Sequence, residues 1–307
     1  MSSPVPTFDY RDDPAQYEAW GADIPSGLHL NVPFNRYLRW PCVSQSGLKT
    51  LARSPGHYQH AKLFPWSSKA ADIGSALDDG WLDSPELLAH SYTTVPWPTP
   101  CKKDGTPYGN WLVSNEGKAW KADNEHRTIL TVDDAFAVYG MMLKLNEHPI
   151  ASDLRHRSRT QVSIVWDCPE TGIRCKGRFD MLAGDEPPYE ASDLKSTTVV
   201  IDPMADKDPF WDHATRLGYH LQAGWYTWGL EIITDEPHTD YRIVAVEQKP
   251  PHTVEVYRYY PDDIEAAREI TSDLLGLYAH CKRGEISWNR TSTNREHNRR
   301  VPAWAWR

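Results

Sequence analysis

Two acidic residues and a lysine stand at a spacing that suits metal-assisted hydrolysis. Asp180 ends a stretch reading CKGRFD, Asp193 lies in SDLKS further on, and Lys195 follows after one residue. Alternate residues of a strand share a face, so Asp193 and Lys195 project together, while Leu194 packs inward and turns its carbonyl toward the edge of the site. Two carboxylates and a carbonyl are ligands that a hard cation such as Mg²⁺ prefers. The pattern indicates the chemistry of phosphodiester hydrolysis, in which the metal polarises a phosphoryl oxygen and acidifies water.

The lysine fits the same chemistry. A cation beside the carboxylates can orient or help to deprotonate the attacking water, or stabilise the developing negative charge. The alternative is a cross-strand salt bridge on an exposed sheet, because a D-x-K pattern is short and often arises by chance. The strand setting, the spacing and the helix that follows favour the catalytic interpretation.

Strands and helices must position these residues. Strand-like patterns occupy five segments, which read TQVSIVWD, IRCKGRFDMLAG, YEASDLKSTT, YRIVAVEQ and HTVEVYRYY. Helical patterns cover 210–233, where Gln222 and Tyr226 lie one turn apart, and a closing helix that Asp262 or Asp263 caps. Further helices are predicted from Ser44 or Ser46 to Ser54, from near residue 70, and over much of 116–148. This order predicts an α/β fold with one mixed sheet flanked by helices.

Composition divides the chain and narrows its functions. We expect an irregular N-terminal arm over 1–43, the main domain over 44–284, and a basic, Trp-rich tail over 285–307. The net charge of −9 argues against a broad basic surface, although a local DNA groove is compatible with it. Five scattered cysteines argue against a disulfide framework and against a zinc or iron–sulfur cluster. No signal peptide or long apolar stretch is evident, so we expect a cytoplasmic protein that does not enter the membrane.

Six short segments resemble one family, and they occur in its order. They read SQSGLKTLARSPGHY, IGSALDD, TGIRCKGRFDML, SDLKSTT, GYHLQAGWY and AVEQKPPHTVEVY, and they span most of the chain, from about residue 44 to 260. These segments are similar to those of the exodeoxyribonuclease VIII family, the RecE-like phage and prophage recombination exonucleases of the PD-(D/E)XK superfamily. The resemblance implies a restriction-endonuclease-like core and Mg²⁺- or Mn²⁺-dependent, 5′-to-3′ degradation of linear double-stranded DNA. It also implies ring-like homo-oligomers that act on DNA ends, with a single-strand annealing protein as partner.

The resemblance also assigns roles to individual residues. Asp180, Asp193 and the carbonyl of Leu194 match the metal ligands, and Lys195 matches the catalytic lysine. Gln222 and Tyr226 match the family's Q-x-x-x-Y helix, which borders the site; the alternative for this pair is a helix face packed under the sheet.

Two positions depart from the family pattern. Asp78 stands where relatives usually carry a histidine ligand, which leaves a hard-cation site and shifts the expected preference toward Mg²⁺. Gln161 stands where many relatives have an acid, and an amide is a weaker ligand and no base. Arg53 and Ser46 are weaker candidates for DNA contact, and a solvated helix end is the favoured interpretation of Arg53. These departures leave one alternative, a catalytically reduced DNA-binding member of the same fold that serves as a scaffold in recombination or defence.

Overall fold

The N-terminal segment forms part of the main sheet. The computed structural model describes residues 5–21, 23–64, 69–108 and 110–291, beginning with β1 (Thr7–Asp9), α1 (Pro14–Trp20), β2 (Gly27–Leu30) and α2 (Phe34–Arg39). β1 and β2 pair in parallel, and β2 pairs with the strand that contains Ser163. The structure therefore differs from the irregular arm predicted for 1–43. These elements are too short to show a periodicity, and buried aromatic side chains around His29 hold them in place.

A largely helical region follows. Its elements are β3 (Val43–Ser44), α3 (Gln45–Leu51), α4 (Pro55–Leu63), α5 (Lys69–Leu77), a π-helical segment (Asp78–Asp83), α6 (Pro85–Ser91), β4 (Tyr92–Thr94), a 3₁₀ turn (Trp111–Val113), α7 (Asn115–Asp123), β5 (Thr128–Leu130), α8 (Val132–Glu147) and α9 (Pro149–Arg157). Ser44 caps α3 by accepting a hydrogen bond from the N–H of Gly47 at 3.4 Å. The helix predicted over 116–148 is interrupted, because β5 pairs with β4 and Thr131 caps a new helix.

The remaining elements complete an α/β fold around a central mixed sheet, as the sequence predicts. They are β6 (Ser158–Asp167), β7 (Arg174–Ala183), β8 (Glu190–Thr197), α10 (Pro209–Arg216), α11 (Tyr219–Thr234), β9 (Tyr241–Glu247), β10 (Val254–Arg258) and α12 (Pro261–Lys282). The strand order is β1-β2-β6-β7-β8-β9-β10, with β3 also paired to β7. β8 and β9 run parallel, whereas β6, β7 and β8 form an antiparallel meander.

Two helix predictions needed correction. The helix predicted over 210–233 divides into α10 and α11 at Gly218, whose φ of 71° is a left-handed conformation that glycine adopts readily. α12 begins at Pro261 after Tyr260, which makes no side-chain cap, so neither Asp262 nor Asp263 is the N-cap. Both acids lie in the first turn instead, where the helix dipole favours negative charge.

Apolar side chains pack on both faces of the sheet. One cluster joins Trp166 and Phe179 of the sheet to Trp225 of α11, and it extends to α3, α10 and α12. The other joins the sheet to α5 and α8 and contains Leu194, as predicted for the residue between the aspartate and the lysine. Of the helices in the described ranges, none combines the length and the apolar character that crossing a bilayer requires.

Candidate active site

The acidic residues and the lysine predicted from the sequence meet at one cleft. Asp180 on β7, Asp193 and Lys195 on β8, and Asp78 at the start of the π-helical segment all line a cleft of about 1230 Å³. Met181 and Ser192 are paired between β7 and β8, and the described pairing ends there. Asp180 and Asp193 come immediately after this pair, at the point where the two strands separate. The separation gives both carboxylates access to the cleft.

Each carboxylate of the central pair is held by a different donor. The backbone N–H of Leu194 donates to Oδ2 of Asp180 at 2.8 Å, and the amide of Gln222 donates to Oδ1 of Asp193 at 2.5 Å. Lys195 forms an ion pair with Oδ2 of Asp193, a fully buried atom that makes no hydrogen bond of good geometry within the described residues. Nζ of Lys195 also lies 5.1 Å from the centre of the Tyr219 ring. The lysine is therefore fixed beside the carboxylates.

Burial makes negative charge at this site costly. Desolvation, with a smaller contribution from Asp193, raises the pKa of Asp78 to about 7 and that of Asp180 well above its usual value. Burial alone would lower the pKa of Lys195, but Asp193 and Asp180 outweigh it and raise that pKa. Among the described residues, Lys195 is the cation that forms an ion pair with one of the carboxyl groups of Asp78, Asp180 and Asp193.

The oxygen donors at this site are of the kind that a hard divalent cation prefers. Asp78, Asp180, Asp193 and the carbonyl of Leu194 offer oxygen donors, and a cation would offset the burial and the smaller repulsion that raise two of the pKa values. Within the described ranges, no three His, Cys, Asp or Glu side chains are arranged to hold a metal ion unaided. The carbonyl and water would therefore have to complete the coordination shell.

Comparison with known proteins agrees with this geometry. Residues 44–294 match the model of a family described as a PDDEXK-like domain of unknown function (DUF3799), and this match covers most of the chain. The chain belongs to this family.

One solved structure shares the overall fold of the PDDEXK-like domain. A putative exonuclease from Eubacterium rectale superposes with a TM-score of 0.54 and 13% sequence identity, over 96% of this chain and 96% of that chain. SSO0001 is more distant, with a TM-score of 0.28 and 15% identity over 67% of this chain and 86% of that chain. No curated protein matches the sequence significantly. The fold is therefore that of the PD-(D/E)XK superfamily, without specific support for the RecE-like branch.

The helix α11 contributes to the site of the PDDEXK-like domain in two ways. Gln222 reaches the site directly through its hydrogen bond to Asp193. Tyr226 also lines the cleft, but its ring packs edge-on against Phe179 with the ring centres 5.0 Å apart. A Cβ atom on Gly177 would come within 2.9 Å of the Tyr226 ring, so the glycine permits this close approach. Gln222 therefore borders the site directly, whereas Tyr226 both lines the cleft and packs against the sheet.

Arg178 is a cleft residue that sequence reasoning missed. Its Nε donates to Oε1 of Gln161 at 2.7 Å, so the amide that replaces the expected acid holds an arginine. Gln161 has a φ of 53°, in the left-handed region that non-glycine residues rarely adopt. The available signal was strand alternation, because Arg178 lies two residues before Asp180 and so shares its face of β7.

The two weaker DNA-contact candidates occupy different places. Ser46 lines the cleft, and its Oγ lies 3.0 Å from Oγ of Ser44 at the start of α3. Arg53 is exposed beyond the end of α3 and does not line the cleft. The structure therefore brings Ser46, but not Arg53, to the candidate active site.

Proposed function

We propose that this PDDEXK-like domain is a metal-dependent exodeoxyribonuclease that hydrolyses the phosphodiester bonds of linear double-stranded DNA. The observation that carries the proposal is the convergence of Asp180, Asp193 and Lys195 where β7 and β8 separate into an open cleft. The family match and the fold shared with a putative exonuclease support a nuclease. The resemblance to RecE-like enzymes supports Mg²⁺ or Mn²⁺ as the metal, 5′-to-3′ polarity and a role in phage-type recombination.

The residues have distinct roles in this proposal. Asp180, Asp193, Asp78 and the carbonyl of Leu194 would hold the metal, which supplies Lewis acidity toward a phosphoryl oxygen and toward water. Lys195 is protonated when it is paired with Asp193, because its pKa is raised. The lysine then donates hydrogen bonds to the attacking water or to the developing negative charge.

Gln222 positions Asp193. Its amide donates to Oδ1, which leaves the other carboxylate oxygen to Lys195. Such partners of a metal-binding carboxylate commonly contribute about 10- to 100-fold to metal affinity or activity.

Partners and assembly are extensions of the same proposal. DNA ends are the substrate, a ring-like homo-oligomer would keep the enzyme on the strand, and a single-strand annealing protein would take up the product. These three rest on the resemblance and are tested separately, by light scattering and by co-purification.

The decisive experiment is digestion of linear duplex DNA labelled at the 5′ or the 3′ end, in Mg²⁺, Mn²⁺ or EDTA, with a closed circle as control. We expect metal-dependent loss of the linear DNA alone, with the 5′ label released first. Asp193→Asn should be inactive, whereas Asp212→Asn, at a half-exposed position on α10, should match the wild type. DNA binding without cleavage in either metal would favour the catalytically reduced scaffold and refute the enzyme.

A further inference from the structure

Two large apolar side chains are exposed at the mouth of the cleft. Phe34 and Leu38 lie one turn apart on α2 and line the same cleft as the carboxylates, and each is 58% exposed. More than half of the surface of each side chain faces solvent beside the carboxylates, so neither is packed in the core. Their position suggests a contact with something that enters the cleft.

A buried lysine fixes α2 against the strand that carries Asp180. Nζ of Lys176 donates to the carbonyl of Tyr37 at 2.8 Å and to that of Trp40 at 2.9 Å, at the C-terminal end of α2. A cation at this end of a helix satisfies its last carbonyls and its dipole. Lys176, Arg178 and Asp180 occupy alternate positions on β7. α2 is therefore held at a fixed place relative to the candidate active site.

Arg178 lies between α2 and the carboxylates with one side of its guanidinium occupied. Besides Gln161, it reaches the carbonyl of Val32 at 2.9 Å and Oγ of Ser163 at 3.0 Å, both through Nη1. Its Nη2 makes no hydrogen bond to any residue in the described part of the chain. Asp83 and Asp180 act on it electrostatically, but neither forms an ion pair with it among the described residues.

The guanidinium also lies over two aromatic rings. Its central carbon lies 5.8 Å from the ring centre of Phe34 and 5.8 Å from that of Tyr37. The two rings are nearly parallel, with an interplanar angle of 19° and centres 6.2 Å apart. Tyr37 is buried, whereas Phe34 is exposed, so the Phe34 end of this group faces the cleft.

From this arrangement we infer a nucleotide subsite beside the carboxylates, in which Arg178 binds a backbone phosphate and Phe34 stacks on an unpaired base. A fixed guanidinium with a free Nη2 matches a phosphate oxygen, and an exposed aromatic ring matches the face of a base. A base within a duplex already has neighbours on both faces, so the strand must be unstacked where it meets Phe34. The inference rests on the proposed function and narrows its substrate to a strand end whose nucleotide leaves the duplex at α2.

The test uses duplex DNA with a short unpaired 5′ overhang that carries 2-aminopurine, because the fluorescence of this base is high when it is unstacked and falls when it stacks. Binding is measured in Mg²⁺ on the Lys195→Ala background, which keeps the carboxylates. We expect quenching with Phe34 or with Phe34→Trp, and loss of quenching with about 5- to 100-fold weaker binding in Phe34→Ala. Phe136→Ala on α8 is the matched control, since Phe136 is an aromatic residue of similar exposure (62%) that does not line this cleft. Unchanged quenching in Phe34→Ala, or equal loss in Phe136→Ala, would overturn the inference.

Arg178 is tested by kinetics of the otherwise wild-type protein. Arg178→Lys keeps the charge but not the planar fork, so we expect KM to rise about tenfold or more while kcat changes little. Arg258→Lys, at an exposed ion pair with Asp240, is the control and should leave both parameters unchanged. Equal KM values for the wild type and Arg178→Lys would show that Arg178 does not bind the phosphate.

Failure of the subsite and failure of the nuclease assignment give different results. If the wild type cleaves DNA and Phe34→Ala behaves identically in binding and cleavage, the subsite is refuted and the nuclease stands. If binding and quenching depend on Phe34 but the wild type does not cleave, the subsite stands and the chain is a DNA-binding member of the fold.

Discussion

At the scale of single residues, the folded protein disfavours the negative charge of the carboxyl groups at its candidate active site. The pKa of Asp180 is raised because its carboxyl is buried and lies near Asp193 and Asp78. A folded-state pKa above the unfolded value means that ionisation opposes folding. The metal-free protein therefore loses stability as the pH rises above the ordinary aspartate pKa, toward and past the raised value.

Replacing Asp180 should separate activity from stability. We expect Asp180→Asn to abolish cleavage and yet to raise the Tm of the metal-free protein at pH 8, because a neutral amide still accepts the N–H of Leu194. At pH 5 the difference in Tm should shrink, because this pH is closer to the ordinary aspartate pKa, where the raised pKa of Asp180 costs less stability. Thermal unfolding in EDTA at the two pH values measures this. A variant that is less stable at pH 8 would contradict the account.

Lys195 should affect the chemical step more than metal binding. It is paired with Asp193 and positively charged, so Lys195→Ala removes a donor from the reacting centre without removing a carboxylate. We expect cleavage to slow by about 100-fold or more. Calorimetric titration with Mg²⁺ should still detect binding. An unchanged rate would remove the lysine from the mechanism.

At the scale of elements, the close approach of α11 to β7 delivers Gln222 to the site. Gly177 on β7 leaves room for the Tyr226 ring, and Gly224 on α11 leaves room for the backbone of α12 at Ala267 and Arg268. Without these contacts the helix would lie farther from the sheet. The position of α11, which carries Gln222, therefore depends on two glycines that leave room for close packing.

A methyl group at Gly177 should weaken the protein and the site together. Gly177→Ala would place Cβ within 2.9 Å of Tyr226 and 3.1 Å of Ile164, and we expect a loss of about 1–3 kcal/mol in the free energy of unfolding. The control is Gly276→Ala on α12, where nothing lies within 4 Å of the new Cβ. This variant should gain about 0.5–1 kcal/mol, because alanine favours a helix. Denaturant unfolding compares them, and equal stabilities would refute the packing argument.

At the scale of the whole molecule, the N-terminal layer completes the sheet around one buried histidine. His29 lies among Phe8, Tyr17, Trp20 and Trp40, and its Nε2 is 2.9 Å from the carbonyl of Pro25. Burial lowers the pKa of His29 to about 4. The neutral ring is therefore the form that suits this layer.

The layer should become less stable in acid. Between pH 6.5 and about 4 the histidine binds a proton in the unfolded chain but stays neutral in the folded protein. The contribution of His29 to the free energy of unfolding is therefore full above pH 6.5 and falls as the pH drops toward 4. His29→Gln retains an N–H donor but does not titrate, so its unfolding midpoint should vary less over this range. The exposed control, His126→Gln, should retain the wild-type slope. Parallel pH profiles for wild type and His29→Gln would show that His29 does not cause the loss of stability in acid.

The sequence alone determined the features that depend on neighbours along the chain. Alternation placed the strands that became β6 to β10, the i, i+2 rule placed Asp193 and Lys195 together, and Ser44 was one of the two serines predicted to cap α3. These predictions succeed because a strand or a cap depends on a few consecutive residues. The basic, Trp-rich tail expected over 285–307 lies largely outside the described residues, so this part of the domain division stays a prediction.

Only the tertiary structure decided which distant residues share the cleft. Asp78, at the start of the π-helical segment, shares the cleft with Asp180, Gln222 reaches Asp193 from α11, and Arg178 lies between α2 and the carboxylates. The joining of β1 and β2 to the sheet was equally hidden. In each case the partners are far apart in sequence, and their contacts follow from strand order and helix packing, which no local periodicity encodes.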